Sequence, residues 1–141
     1  GELGYDVSIN ASSSGVVVSG EDHRTDSKPI RWDYLNNTSR KAMYDALSKI
    51  ISFRTSREDI YAVDNISVKA WKVGDDSFGG KHLILDKVIV VANFSNSNVS
   101  FNINVPSAGS WRNLITDEVV TLGSTYNVSL SGSDYIVLVR D

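Results

Sequence analysis

Val88-Ile89-Val90-Val91 is an unbroken run of β-branched residues, extended by Ala92-Asn93-Phe94 and preceded by the polar pair Asp86-Lys87. Branching at Cβ favours a pleated strand over a helix. A strand with one wet face alternates apolar and polar residues, and this one does not. A strand covered on both faces reads this way. His82 to Phe94 is therefore expected to be β, with Asp86-Lys87 as a bulge or bend inside it.

The same grammar continues toward the C-terminus. Asn96-Ser97 marks a turn. Val99, Phe101, Ile103 and Val105 then alternate with Ser100, Asn102 and Asn104, and Pro106 ends the strand. Trp111 to Leu114, Val119 to Leu122, Tyr126 to Leu130 and Tyr135 to Val139 supply four more apolar runs. Toward the N-terminus, Ile66 to Trp71 alternates, and Gly74 to Gly80 reads as a hairpin loop. Short strands with turn signals every ~8–12 residues specify an antiparallel β-sandwich or barrel.

Upstream of Ile60 the pattern differs. Asn36-Asn37-Thr38 is a helix start, because a side-chain oxygen there can accept a first-turn N–H. Met43, Leu47, Ile50 and Arg54 follow at helical spacing, widened by Ala46 and Ile51. The helix should end near Arg54, where a loop begins at Thr55-Ser56-Arg57. Residues 1–36 are polar and irregular, Ser/Gly-rich around Val16-Val17-Val18 and charged from Glu21 to Lys28. They read as a long loop with room for one short hairpin, and long loops are usually functional or packed on something else. The expected fold is mainly β, a sandwich preceded by an irregular segment and one α-helix.

Composition removes several function classes. The chain has 141 residues, about one domain's length. Its net charge of −3 gives no basic footprint for nucleic acid. With no cysteine there is no disulfide, thiol nucleophile or Cys-ligated metal, and two histidines do not make a His-rich site. The longest apolar run, Val88 to Ala92, falls far short of the ~20 residues of a membrane span. The first residues lack a basic stretch followed by an apolar one, so no signal peptide is expected there, and the compartment stays open.

Few residues look chemical. The adjacent acids Glu58-Asp59, Asp75-Asp76 and Asp117-Glu118 fall in expected loops or turns, where such pairs are mostly solvated turn formers. His23 and His82 have no serine or acid at triad-like spacing. The aromatics are better candidates. Trp32, Tyr34, Trp71, Phe78 and Trp111 could stack on the apolar faces of sugar rings, although large aromatics more often serve as core. Trp71 and Trp111 lie within strands and are expected in the core, as is Val90. Trp32, Tyr34 and Phe78 remain as candidate carbohydrate-binding residues.

Three stretches carry a family resemblance. Gly1-Glu2-Leu3-Gly4-Tyr5-Asp6 resembles the segment leaving the eighth barrel strand of family 13 glycoside hydrolases, the α-amylase family. Lys28-Pro29-Ile30-Arg31-Trp32-Asp33-Tyr34-Leu35 and Arg40-Lys41-Ala42-Met43-Tyr44 resemble the approach to the last barrel helix. Val88 to Ser95, Trp111 to Glu118 and Tyr135 to Val139 resemble that family's C-terminal β-sandwich, domain C. Ala11 to His23 departs from the pattern as an insertion. The resemblance implies that residues 1–59 are the end of a (β/α)₈ barrel and 60–141 the sandwich.

It also implies what is missing. The family's three catalytic acids follow the fourth, fifth and seventh barrel strands, which would all precede Gly1. A barrel needs ~250 residues. No catalytic residue is carried over to this chain, Glu2 included. The family's calcium ligands also lie upstream, so no cofactor or metal is expected here. The implied function is the C-terminal portion of an enzyme acting on α-1,4-glucans with retention. Its implied partners are the parent's catalytic barrel and α-glucan, with self-association through the helix face Met43, Leu47, Ile50 and Ile51. The alternatives are a stand-alone starch-binding sandwich, a fragment of a glucan branching enzyme or glucanotransferase, and a purely structural or adhesive sandwich.

Overall fold

The computed structural model describes residues 3–61, 72–75 and 79–141. The chain forms two compact units, Gly1–Ser48 and Lys49–Asp141.

In the first unit, a 3₁₀ turn over Trp32–Asn36 leads to helix α1, Thr38–Ser56, which continues into the second unit. The Asn37 Oδ1 accepts the Arg40 backbone N–H at 3.1 Å, the N-cap that the sequence signals. At the other end the helix runs two residues past Arg54. The Thr55 hydroxyl donates to the Ile51 and Ser52 carbonyls, and the Ser56 hydroxyl to the Phe53 carbonyl. The Ser56 bond supplies a partner to Phe53, one of the last four carbonyls, which a helix end leaves unpaired. Residues 3–31 contain no strand.

The helix face is rotated from the expected stripe. Ala46 is buried, and Ile50 and Phe53 pack on a cluster in the second unit, whereas Met43 and Ile51 are exposed. Within the second unit the inward positions are therefore 50 and 53, at i and i+3. A second, short helix α2, Glu58–Tyr61, follows where the sequence suggested a loop and then a strand. Its Ile60 is fully buried.

Among the described residues the second unit holds eight strands: β1 Lys72–Asp75, β2 Gly80–Leu85, β3 Val88–Asn93, β4 Val99–Asn104, β5 Gly109–Asn113, β6 Val119–Leu122, β7 Thr125–Leu130 and β8 Tyr135–Val139. Six make one sheet in the order β1-β2-β3-β8-β5-β6, and β4 pairs with β7 in a second. All pairings are antiparallel. The Ile66 to Trp71 alternation lies outside the described residues. Of the expected Gly74 to Gly80 hairpin loop, residues 76–78 lie outside the described residues, and Gly74 and Asp75 belong to β1, which pairs with β2 from Lys72 opposite Ile84 to Asp75 opposite Lys81. Asp86-Lys87 is not a bulge in one long strand. Leu85 pairs with Val88, so these two residues are the whole hairpin loop and the chain reverses there. A polar pair between apolar runs fits either geometry. Only pairing partners far along the chain decide between them.

The unbroken run in β3 has its physical reason in two cores. Ile89 and Val91 point into a cluster with Ile84, Trp111, Leu138 and, from the small sheet, Val99, Ile103, Val128 and Leu130. Val88 and Val90 point the other way, to Leu85, Val137, Val139, Leu114 and Ile60, with Ile50 and Phe53 of α1 packed against them. Alternate residues of a strand face opposite sides, so a strand with a core on each side has no place for a polar residue. Trp111 is 1% exposed and its indole N–H donates to the Ser107 carbonyl at 3.0 Å. Val90 is half-buried.

Two further contacts fix the sandwich. A Cβ at Gly80 would come within 2.5 Å of the Phe101 ring, so only glycine lets β2 and β4 approach. Asn93, buried at the end of β3, donates to the Ser97 and Ser131 carbonyls at 2.7 and 2.8 Å and accepts from the Ser95 N–H and hydroxyl. It joins the β3–β4 and β7–β8 connections.

Candidate carbohydrate-contacting site

Of the three aromatics singled out, Trp32 and Tyr34 share one 3₁₀ turn, and Phe78 lies outside the described residues. Their roles within the turn differ. The Trp32 ring is 66% exposed and Tyr34 is 6% exposed. The Tyr34 hydroxyl donates to the Asp6 carboxylate and accepts the Asp6 backbone N–H at 3.1 Å. The Arg40 guanidinium lies 3.8 Å from the Tyr34 ring centroid and that of Arg31 lies 4.8 Å from it, positions suited to cation–π attraction. Tyr5 meets the ring edge-on, and its own hydroxyl donates to the Pro29 carbonyl at 2.9 Å.

Tyr34 thus ties three segments together: residues 5 and 6, the turn, and the first turns of α1. The Arg31 side chain forks onto Asp33 with N–O distances of 2.8 and 2.7 Å, bracing the turn next to Trp32. Asp6 is held below the usual carboxylate range, chiefly by the Tyr34 hydroxyl and then by Arg40. Asp33 is lowered by Arg31. Asp6 and Arg40 appear in the sequence only as parts of longer matching stretches. Nothing in their spacing, 34 residues apart, foretells that they converge on one ring.

The remaining loop of the first unit is bonded through polar groups. The His23 ring lies between Asp26, at 2.8 Å from Nδ1, and Glu21, at 2.7 Å from Nε2. Lys28 Nζ donates to the Ala11 and His23 carbonyls. In the second unit His82 stacks on Phe101, a packing role.

The acid pairs are placed separately. Glu58 and Asp59 open α2, where Asp59 accepts both the Nε–H and an Nη–H of Arg57. Asp117 sits in a turn with φ of 64° and is bridged by Lys49 at 2.9 Å and Arg112 at 3.1 Å, Lys49 giving the larger lowering of its pKa. Asp75 ends β1, and Asp76 lies outside the described residues. Among the described residues no group of three or more acids and histidines is placed to hold a metal ion. No helix among them is long and apolar enough to cross a membrane.

Residues 77–139 match the family model described as alpha amylase, C-terminal all-beta domain. The matched stretch runs from β2 to β8 of the sandwich. No curated protein matches the chain. Among solved structures, AmyP in complex with maltose is similar at 15% identity and a TM-score of 0.58, over 89% of this chain and 29% of that one. An alpha-amylase from Anoxybacillus is similar at 13% identity and a TM-score of 0.52, over 86% of this chain and 26% of that one. At such identity the likeness is one of fold. The chain spans less than a third of the length of these structures.

Proposed function

We propose that the chain is the C-terminal end of an enzyme that hydrolyses or transfers at α-1,4-glucosidic bonds, and that its own task is to support the catalytic barrel. Residues 1–59 would be the last loop and helix of that barrel and 60–141 the sandwich. The observation that carries this reading is the family match over 77–139. The catalytic acids and any calcium ligands would belong to the upstream barrel.

The distribution of apolar side chains supports the reading. In the first unit Ile9, Val16, Val17, Ile30, Trp32 and Met43 are all exposed. An upstream barrel packed on this unit would take such side chains out of water. In the isolated chain, Met43 and Ile51 of α1 offer the surface for self-association. Trp32 is the glucan-contacting candidate that presents a free ring; Tyr34 positions the turn that presents it. Phe78 completes the proposed set.

The test compares release of reducing ends from soluble starch by the 141-residue chain and by the full gene product. The expected result is turnover by the full product alone. Turnover by the chain that disappears on replacing one of its own acids would overturn the proposal.

A further inference from the structure

Residues 49–61 carry the end of α1 and all of α2, and two kinds of contact hold them on the sandwich. The first is apolar. Ile50, Phe53, Ile60 and Tyr61 meet the cluster of Leu85, Val88, Val137 and Val139. None of residues 49–61 belongs to the other cluster, which is built from residues of both sheets. Removing the segment would open one core and leave the other closed.

The second contact is ionic and runs alongside. Lys49 Nζ donates to the Ile115 carbonyl at 2.6 Å and to the Asp117 carboxylate at 2.9 Å. Just past the end of α1, Arg57 donates to the Arg140 carbonyl at 3.4 Å and lies 3.8 Å from the Asp141 carboxylate. Arg112 of β5 joins the two anchors, 3.1 Å from Asp117 and 3.8 Å from Asp141. Cation and carboxylate thus alternate along Lys49–Asp117–Arg112–Asp141–Arg57. Asp59 of α2 adds a pair to Lys87 of the β2–β3 turn at 3.6 Å.

The turn that receives Lys49 is shaped by its own bonds. The Asn113 Oδ1 accepts the Ile115 and Thr116 N–H groups, and the Asn113 carbonyl accepts the Asp117 N–H at 2.8 Å. Asp117 has a φ of 64°, a left-handed conformation that Asp and Asn adopt more readily than other side chains. Its carboxylate is therefore placed for Lys49 by the turn. Every side chain of the ionic chain is at least partly exposed. Dissolved salt screens such pairs, whereas it does not weaken apolar burial.

We infer that residues 49–61 form an ionic latch, a segment that leaves and rejoins the sandwich as a unit, with the Lys49–Asp117–Arg112–Asp141–Arg57 chain setting how much of the time it is closed. An undocked helix loses the packing that gives it most of its stability, so this part of α1 melts when the latch opens. The cluster between the two sheets stays closed. The latch needs no upstream barrel.

The chain has no cysteine, so a single introduced thiol reports the opening directly in the 141-residue chain. Ile60→Cys puts a thiol at a position 1% exposed within the latch, and Val128→Cys puts one at a 0% exposed position in the other cluster. Raising sodium chloride from about 0.02 to about 0.5 M should speed maleimide labelling at 60 about threefold or more and leave labelling at 128 unchanged. Asp117→Asn keeps a residue suited to the turn and removes its charge. At low salt it should speed labelling at 60 about fivefold and flatten the salt dependence. Lys49→Met should act alike, and the two together should add little, because both break one link. Labelling at 60 and 128 at one rate under every condition overturns the latch, since the segment then opens only with the whole fold. Salt-independent labelling at 60 that Asp117→Asn leaves unchanged also overturns it, since apolar contacts alone then hold the segment. Amide exchange of the unsubstituted chain guards against a packing effect of Ile60→Cys. Exchange over 49–61 should quicken with salt while β3 keeps its protection, and a uniform response of both overturns the latch.

Discussion

The two units keep their shape by different means. The sandwich places alternate residues of β2, β3 and β8 in two apolar clusters. The first unit has only Ala11, Tyr34 and Ala46 as buried apolar residues among those described, and it leaves Ile9, Ile30 and Trp32 in water. What organises it is polar: the Tyr34–Asp6–Arg40 group, the His23 clamp and Lys28 on two carbonyls. Burial of apolar side chains is worth ~1.5–3 kcal/mol each, whereas an exposed ion pair contributes ~0–1 kcal/mol. The sandwich should therefore carry most of the stability of the isolated chain. The first unit should gain most from a partner that covers it.

The largest expected effect lies in the sandwich. Trp111→Ala removes a fully buried indole together with its hydrogen bond to the Ser107 carbonyl. A loss of about 3–5 kcal/mol is expected in urea unfolding. A change below about 1 kcal/mol would break the contrast between the units. Asn93→Ala should follow closely, about 2–4 kcal/mol, because several buried groups lose partners at once. Asn93→Asp is the sharper probe. It keeps acceptors for Ser95 and removes both donors to the Ser97 and Ser131 carbonyls, so it should not rescue.

The part of helix α1 in the second unit carries a packed and an exposed side chain next to each other, so the effect of packing can be read within one element. Ile50→Glu puts a charge against the cluster of Leu85, Val88 and Val137, and should destabilise by more than about 2 kcal/mol. Ile51→Glu, on the exposed side, should stay within about 0.5 kcal/mol. Equal melting temperatures for the two variants would mean that α1 does not pack as described.

How legible this was in the sequence depended on how local each cause is. The alternation of Val99, Phe101 and Ile103 needs only a strand with one wet face, and β4 starts where expected and ends at Asn104, one residue before Val105. The doubly buried β3 was legible because two cores leave no polar position. The Asp86-Lys87 reversal, the burial of Ile60 and the rotation of the helix face were not. Each depends on which distant surface a residue meets, and one stripe of Met43, Leu47 and Ile50 fits several rotations. At the candidate site, Trp32 and Tyr34 stood out as aromatics. Their opposite exposures follow from Asp6 and Arg40, whose approach no periodicity encodes.

The smallest effect should come from the His23 clamp, and its sign follows from the groups around it. Asp26 and then Glu21 raise the imidazole above its ordinary value of 6.5, because both carboxylates favour the imidazolium. The unfolded chain lacks these neighbours and titrates near the ordinary value. A raised folded-state pKa means that the clamp's contribution is full below about pH 6.5 and is lost as pH rises through the folded value. The Lys28 ammonium donates to the His23 carbonyl, and Asn10 accepts the His23 backbone N–H. Asp6, lowered by Tyr34 and Arg40, and Asp117, lowered by Lys49 and Arg112, lose their contributions only as pH falls below about 4, so they do not overlap. Amide exchange over 21–28, corrected for the intrinsic pH dependence, should be slower at about pH 6 than at about pH 8, while exchange in β3 keeps the same protection. His23→Gln should remove the difference. Equal protection at both pH values in the wild type would mean that the clamp does not hold the loop, and the first unit would then need its partner even for this segment.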